Sequence, residues 1–200
     1  MNEFQLNGQT VHAYVGESIL QAAQRHGVDI PHLCYTDGLR ADGNCRACVV
    51  EIKGERTLAP SCCRTATAGL EVLVSDRAVK SQKMVLEMLL SDMPDVGHKW
   101  NDEGQHGELS DWASRMGVAV RPELRALRRE QPASDVSHPA MAVNLDACIQ
   151  CNRCVRACRE NQVNDVIGYA NRGAHAQIVF DLNDPMGLSS CVACGECVQA

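Results

Sequence analysis

The 200-residue chain carries twelve cysteines, only 4% aromatic residues and a formal net charge of −6. That acidic balance argues against nucleic acid as a partner, and without eighteen consecutive apolar residues nothing is expected to cross a membrane. The opening MNEFQLNGQT has neither a basic n-region nor an apolar h-region, so a cytoplasmic setting is expected, where disulfides are the weaker use of so many thiols. Small cores partly organised by metal clusters are the alternative that the composition favours.

Residues 3–14, FQLNGQTVHAYV, alternate apolar and polar about Asn7-Gly8, which predicts two antiparallel strands joined by a two-residue type I′ turn. Ser18 precedes ILQAAQRH, where Ile19, Ala22, Ala23 and His26 share a helical face and Gly27 follows as a stop. CVVEIKGERTLAP and LEVLVS read as further strands. The order β-β-α-loop-β-β within about 75 residues is that of a β-grasp domain. DRAVKSQKMVLEMLLSD then predicts a helix with Val79, Met84, Val85, Met88 and Leu89 at helical spacing. A Gly-, Asp- and His-rich loop over 93–107, helices over 109–116 and 122–130, and a polar, proline-bearing linker over 131–139 follow. Beyond the linker, two C-x2-C-x2-C sets flank one strand-like segment, AQIVFDL, as a two-fold internal repeat. The expected architecture is α+β: a β-grasp domain over 1–77, a helical segment over 78–135 and a ferredoxin-type domain over 136–200.

Cys34, Cys45, Cys48 and Cys62 form the first candidate metal group. An iron cluster wants four soft thiolates converging on a small volume, wrapped by a loop whose backbone N–H groups point at sulfur. A four-cysteine zinc site uses the same ligand geometry, although zinc sites usually come as two close pairs. Adjacent side chains seldom both ligate one metal, so Cys63 is expected to be a small packed residue. The second group, Cys148, Cys151, Cys154 and Cys158, has the bacterial ferredoxin spacing C-x2-C-x2-C-x3-C, in which the fourth cysteine ligates the other cluster. Cys191, Cys194 and Cys197 are therefore expected to hold one [4Fe-4S] cluster with Cys158. Cys148, Cys151 and Cys154 then need a cysteine just beyond Ala200, so the chain is expected to be a fragment of a longer subunit whose last domain is incomplete at its C-terminus. No open coordination position is evident, so electron relay is expected and no catalytic residue is assigned. Arg46, Arg153, Arg156 and Arg159, close to the thiolates in sequence, either tune potential, dock a partner or are ordinary solvated surface.

The stretch GNCRACVVEI, with Cys34 upstream and PSC downstream, resembles the N-terminal [2Fe-2S] domain shared by three groups: the large iron–sulfur subunit of respiratory complex I, the diaphorase subunit of NAD-reducing hydrogenases, and the alpha subunit of cytosolic NAD-dependent formate dehydrogenases. SHPAMAVNLDACIQCNRCVRACRENQVNDVIG, FDLNDPMGLSSCVACGECVQA and the doubled SCC are most similar to the last of these. The resemblance implies one [2Fe-2S] and two [4Fe-4S] clusters. It also implies a formate-oxidising molybdopterin centre of molybdenum or tungsten in the remainder of the same subunit, and flavin- and NAD-binding diaphorase partners. Several members carry a middle site, H-x3-C-x2-C-x5-C, for another cluster. SDMPDVGHKWNDEGQHGELSDWASRMGV keeps Ser91, Asp92, Pro94, Glu108 and Leu109 but has no cysteine, so that cluster is expected to be absent. His98 and His106 then read as solvated, and Trp100 and Trp112 as packing in the vacated space. The basic run RPELRALRRE, with Arg121, Arg125, Arg128 and Arg129, reads as an exposed helix face or a docking face for the flavin subunit. Arg159 stands where ferredoxins often have proline, which weakens a generic ferredoxin reading but not ligation by Cys158. Two other readings stay open: the diaphorase iron–sulfur subunit of an NAD-reducing hydrogenase, and a zinc-binding interaction module without redox function.

Overall fold

The computed structural model describes residues 1–94, 107–128 and 132–200. The chain divides into two compact units, one of residues 1–35, 41–87 and 112–119, the other of 36–40, 88–111 and 120–200.

In the first unit β1 (Asn2–Leu6) and β2 (Gln9–Ala13) pair antiparallel, with Phe4 opposite Val11. Asn7 and Gly8 both adopt positive φ, 52° and 79°, as the type I′ turn requires. Phe4, Leu6, Val11 and Ala13 alternate inward. α1 (Ile19–Arg25) starts on a capping box: Gln21 N–H donates to Ser18 Oγ at 3.2 Å and Ser18 N–H donates to Gln21 Oε1 at 3.0 Å. Its buried face is Ile19, Leu20, Ala22 and Ala23, whereas His26 is exposed, 3.0 Å from the His12 carbonyl. β3 (Val49–Ile52), β4 (Ala59–Pro60) and β5 (Glu71–Leu73) complete a five-stranded sheet of order β2-β1-β5-β3-β4. β5 runs parallel to β1 with Leu6 opposite Val72, and antiparallel to β3 with Ile52 opposite the same Val72. Phe4, Leu6, Leu20, Val50, Ile52 and Val72 meet in the core between sheet and α1, each burial contributing about 1.5–3 kcal/mol.

Glu17 ties the entry of α1 to its end. Its carboxylate accepts from Arg25 Nη2 at 2.8 Å, Arg25 Nε at 3.1 Å and the Tyr14 N–H at 2.7 Å. The Arg25 hydrogen bond, aided by the Tyr14 N–H, holds its pKa below the ordinary value against the opposing effect of burial. A carboxylate with a depressed folded pKa adds stability above its unfolded pKa, and that stability is lost as the pH falls. Glu17→Gln is expected to cost about 0.5–1 kcal/mol at neutral pH. The difference from wild type should close as both proteins are melted at decreasing pH below about 4.3; a gap unchanged at acid pH would refute the ionic origin.

α2 (Asp76–Asp92) buries Ala78, Gln82 and Leu86, one residue per turn. This corrects the predicted stripe: Met84 and Met88 are 49% and 53% exposed. The seam needs a donor, because Gln82 Nε2 donates at 2.9 Å to the Val49 carbonyl, and apolar periodicity ranks methionine above a glutamine that does this. α3 (Glu108–Met116) follows, and α4 (Pro122–Arg125) is shorter than the predicted 122–130. No residue of α4 is buried, and so short a helix without a packed face does not propagate. Arg125 is not a free docking charge: its Nη1 donates to the carbonyls of Leu90, Ser91 and Met93 at 3.0, 3.1 and 2.6 Å, capping the end of α2.

In the second unit α5 (Arg153–Arg156) runs into a wider π-type turn, Ala157–Asn161, and a hairpin of β6 (Ile167–Ala170) and β7 (Gln177–Phe180) precedes α6 (Glu196–Gln199). The sequence predicts one strand here; a second, β6, pairs with β7, Ile167 opposite Phe180. Val155, Cys158, Val166, Ile167, Ile178, Phe180 and Met186 form a small core. The predicted linker is anchored at Asp135, which bridges to Val143 and accepts the N–H of Met186 at 2.6 Å and of Ser137 at 2.8 Å.

Candidate metal centres

Cys34, Cys48 and Cys62 are buried to within 2% exposure and Cys45 is half-buried. The Cys34 sulfur accepts from the thiols of Cys45 and Cys62, and the Cys48 sulfur also meets Cys62. Backbone N–H groups add to this, Cys45 and Asn44 to Cys34, Ala47 to Cys45, and Cys62 to Cys48. The local chain explains the aim. Arg46, between the two members of the C-x2-C pair, takes positive φ of 58°, and Cys62 sits in a tight turn in which the N–H groups of Cys63 and Arg64 both donate to the Pro60 carbonyl at 3.1 Å. Such donors stabilise thiolate. The Cys45 thiol, then that of Cys62, holds the Cys34 pKa down to about 2, and the Cys62 thiol brings Cys48 to about 7. Cys45 and Cys62 are pushed up, first by the hydrogen bonds that they give to Cys34. The backbone is therefore arranged to hold sulfur as anion, as a thiolate-ligated cluster needs.

Cys63 is not packed: it is exposed, with Sγ 3.6 Å from Cys62 Sγ. Trp112 packs edge-on at 5.9 Å to His32, two residues before Cys34 in sequence, with the Arg115 guanidinium 4.2 Å over the indole ring. His98, His106, Trp100 and Arg129 lie outside the described residues.

The two C-x2-C-x2-C loops have the same backbone. Gln150 and Ala193, each preceding the middle cysteine, have φ of 54° and 55°; Asn152 and Gly195, each following it, have φ of 69° and 82°. Gln150 N–H donates to Cys148 Sγ and Ala193 N–H to Cys191 Sγ, both at 3.4 Å. Side-chain-bearing residues in the left-handed region cost about 1–2 kcal/mol each, and strain repeated at matching positions marks a site that needs inward N–H groups. The hairpin holds the first loop, through Tyr169 Oη donating to the Gln150 carbonyl at 3.0 Å and Gln150 Nε2 to the Ala176 carbonyl at 2.7 Å. Asp181, just past β7, holds the second by accepting from Ser190 N–H at 2.6 Å and Ser190 Oγ at 2.9 Å.

Cys148 and Cys151 lie close enough to Cys154 to add to its shift: burial first, then the charges of Cys151, Cys148 and Cys197, push it up to about 12. Cys197 is raised by burial and then by Cys191, Cys194 and Cys158. Cys158, which is buried, is among the groups that raise Cys197. Among the described residues no three histidine, cysteine or carboxylate side chains close on a single-ion position. Of the four arginines near the thiolates, Arg156 is not surface: at 2% exposure it donates through Nη1 to the Arg40 carbonyl and through Nε to the Asn152 carbonyl at 3.3 Å. Arg153 pairs with Glu108 at 2.5 Å and Arg159 with Asp165 at 2.6 Å, while Arg46 is exposed.

A 2Fe-2S iron–sulfur cluster binding domain matches residues 1–77, and a 4Fe-4S dicluster domain matches residues 140–200. The chain thus carries a 2Fe-2S domain and a 4Fe-4S dicluster domain. Its fold class is α+β, with the 2Fe-2S domain first and the dicluster domain last. It is 34% identical over 96% of its length to the NADP-reducing hydrogenase subunit HndD of Solidesulfovibrio fructosivorans, covering 34% of that protein. It is 32% identical over 88% of its length to the mitochondrial NADH-ubiquinone oxidoreductase 78 kDa subunit of Candida albicans, covering 24% of that protein. The chain therefore spans between about a quarter and a third of these curated relatives. Among solved structures it is similar to a chain of an NAD+-reducing [NiFe]-hydrogenase in the H2-reduced state, with a TM-score of 0.75 and 26% identity, covering 92% of this chain and 79% of that one. The iron–sulfur families displace the zinc-module reading. No helix among the described residues is long and apolar enough to cross a membrane.

Proposed function

We propose that the chain is the electron-relay region of a cytoplasmic, NAD-dependent formate dehydrogenase alpha subunit. In this reading it accepts electrons from a formate-oxidising molybdopterin centre elsewhere in that subunit and delivers them to a flavin- and NAD-binding partner. The coarser part, an iron–sulfur component of an oxidoreductase, is supported by the two domain matches and by relatives from a hydrogenase and an NADH-ubiquinone oxidoreductase. The finer part is carried by one observation: no cysteine occurs between Cys63 and Cys148. Residues 78–135 then stand as the counterpart of the histidine-plus-three-cysteine segment without its ligands.

When bound, the clusters supply sites that take up and release one electron at a time. Cys34, Cys45, Cys48 and Cys62 hold the [2Fe-2S] cluster. Cys158, Cys191, Cys194 and Cys197 hold one [4Fe-4S] cluster, and Cys148, Cys151 and Cys154 supply three ligands to the other. The N–H groups of Asn44, Ala47, Gln150 and Ala193 donate to sulfur and favour the reduced, more negative state. Burial of Cys34, Cys48 and Cys62 keeps water from the first site.

A second reading, the diaphorase iron–sulfur subunit of an NAD-reducing hydrogenase, is favoured by the hydrogenase relative and the hydrogenase structure. The complex purified without oxygen separates the two. Formate is expected to generate the low-temperature EPR signals of reduced clusters, and NAD+ to remove them. Signals produced by H2 and not by formate would establish the hydrogenase reading instead.

A further inference from the structure

The sulfur of Cys63 is the one thiol beside the first metal group that the four-ligand assignment leaves unused. It is exposed, and its Sγ is 3.6 Å from Cys62 Sγ, while a Cβ at Gly43 would stand 3.0 Å from it. Gly43 lies two residues before Cys45, takes positive φ of 67°, and so leaves room for this sulfur against the ligand loop. The neighbouring polar group in the turn is already engaged, because Ser61 Oγ donates to the Cys48 carbonyl at 2.7 Å. Cys62 and Cys63 share one tight turn on the Pro60 carbonyl, so a rotamer change and a small turn shift exchange one sulfur for the other.

We propose that Cys63 is a reserve ligand of the first cluster, binding the iron position of Cys62 when Cys62 cannot. The inference rests on the [2Fe-2S] reading given above. Exchange is chemically even: the Cys63 thiol gives up its proton and donates a thiolate sulfur, keeping four soft ligands on iron. An alanine at 63 could not do this.

The test uses the anaerobically purified complex with Cys62→Ala, Cys63→Ala and the double variant, read by absorbance, EPR and the iodoacetamide reactivity of Cys63. The [4Fe-4S] signals report folding in every case. Cys63→Ala alone is expected to leave the [2Fe-2S] signal unchanged. Cys62→Ala is expected to keep at least about half of that signal, with Cys63 protected from alkylation, and the double variant to lose it. A Cys62→Ala protein that loses the signal as fully as the double variant, with its [4Fe-4S] signals intact, overturns the proposal. So does alkylation of Cys63 as rapid as in wild type. If Cys62→Ala does not accumulate, Cys62→Ser keeps the side-chain size; Cys63 protected there supports the exchange, since iron prefers thiolate to a harder oxygen, and Cys63 unprotected refutes it. A wild type without any [2Fe-2S] signal fails the underlying reading, a result distinct from the others.

Discussion

Replacing Cys158 with serine is expected to remove one [4Fe-4S] cluster, the one assigned to Cys191, Cys194 and Cys197, and to leave the [2Fe-2S] signal at full strength. In sequence Cys158 belongs to the earlier run, one helical turn after Cys154. It is buried, and its charge adds to those of Cys191 and Cys194 on Cys197, while Cys154 is raised first by burial and then by Cys151, Cys148 and Cys197. α5 and the wider turn after it carry the two cysteines one turn apart, so they stand one above the other along one face. Four of the later unit's cysteines, Cys148, Cys154, Cys191 and Cys197, pack on its small core. Ligand binding in so small a domain is folding free energy. The stability loss in that unit should therefore exceed the ~2–5 kcal/mol of truncating a buried aliphatic side chain. The first unit, with its own core of Phe4, Leu20 and Val72, should melt as in wild type. Iron content, EPR of the reduced protein and calorimetry check all three statements. Retention of both [4Fe-4S] signals, or loss of the [2Fe-2S] signal, would show the ligand division to be wrong.

Parts of this molecule are legible from local chemistry alone. Asn7-Gly8 and the Ser18–Gln21 box each encode their element within a few residues, so the first hairpin and α1 follow from sequence. Cysteine spacing is equally local, which is why the two repeated loops stand out; their left-handed residues at 150, 152, 193 and 195 are the backbone counterpart of that spacing. The hidden features depend on partners far along the chain. The parallel pairing of β1 with β5 joins Leu6 to Val72, and nothing near either residue announces the other. Gln82 reads as a polar interruption of α2 until the Val49 carbonyl is beside it. β6 is a short run, IGYA, that becomes a strand by pairing with β7. The exposure of Cys63 follows from the turn on Pro60, and Arg125 reads as a docking charge until the carbonyls at the end of α2 are placed around it.

Arg156 is the strongest case of a hidden partner, and it carries the last prediction. Its guanidinium is 2% exposed and reaches the Arg40 carbonyl, 116 residues away in sequence, as well as the Asn152 carbonyl. One residue separates it from Cys154 on one side and from Cys158 on the other, which places its charge along the chain between cysteines assigned to the two proposed [4Fe-4S] clusters. A buried cation is poorly screened by salt, and it favours whichever state of its surroundings carries more negative charge. Arg156→Met should therefore make the [4Fe-4S] clusters harder to reduce, lowering their midpoint potentials by roughly 40–60 mV, about 1 kcal/mol for one electron. It should also destabilise the second unit by about 1–3 kcal/mol, because the part-buried Arg40 carbonyl loses its guanidinium donor and the Asn152 carbonyl keeps only the Arg156 N–H. Arg156→Lys separates the two effects: it keeps the charge but not the planar fork that reaches two carbonyls at once. The lysine variant is expected to lose stability with its potentials near wild type, and the methionine variant to change both. Redox titration followed by EPR gives the potentials and thermal melting gives the stability. Potentials that fall equally in both variants would assign the effect to loop geometry and remove the charge from the account, and potentials unmoved in both would mean that Arg156 is a fastener alone.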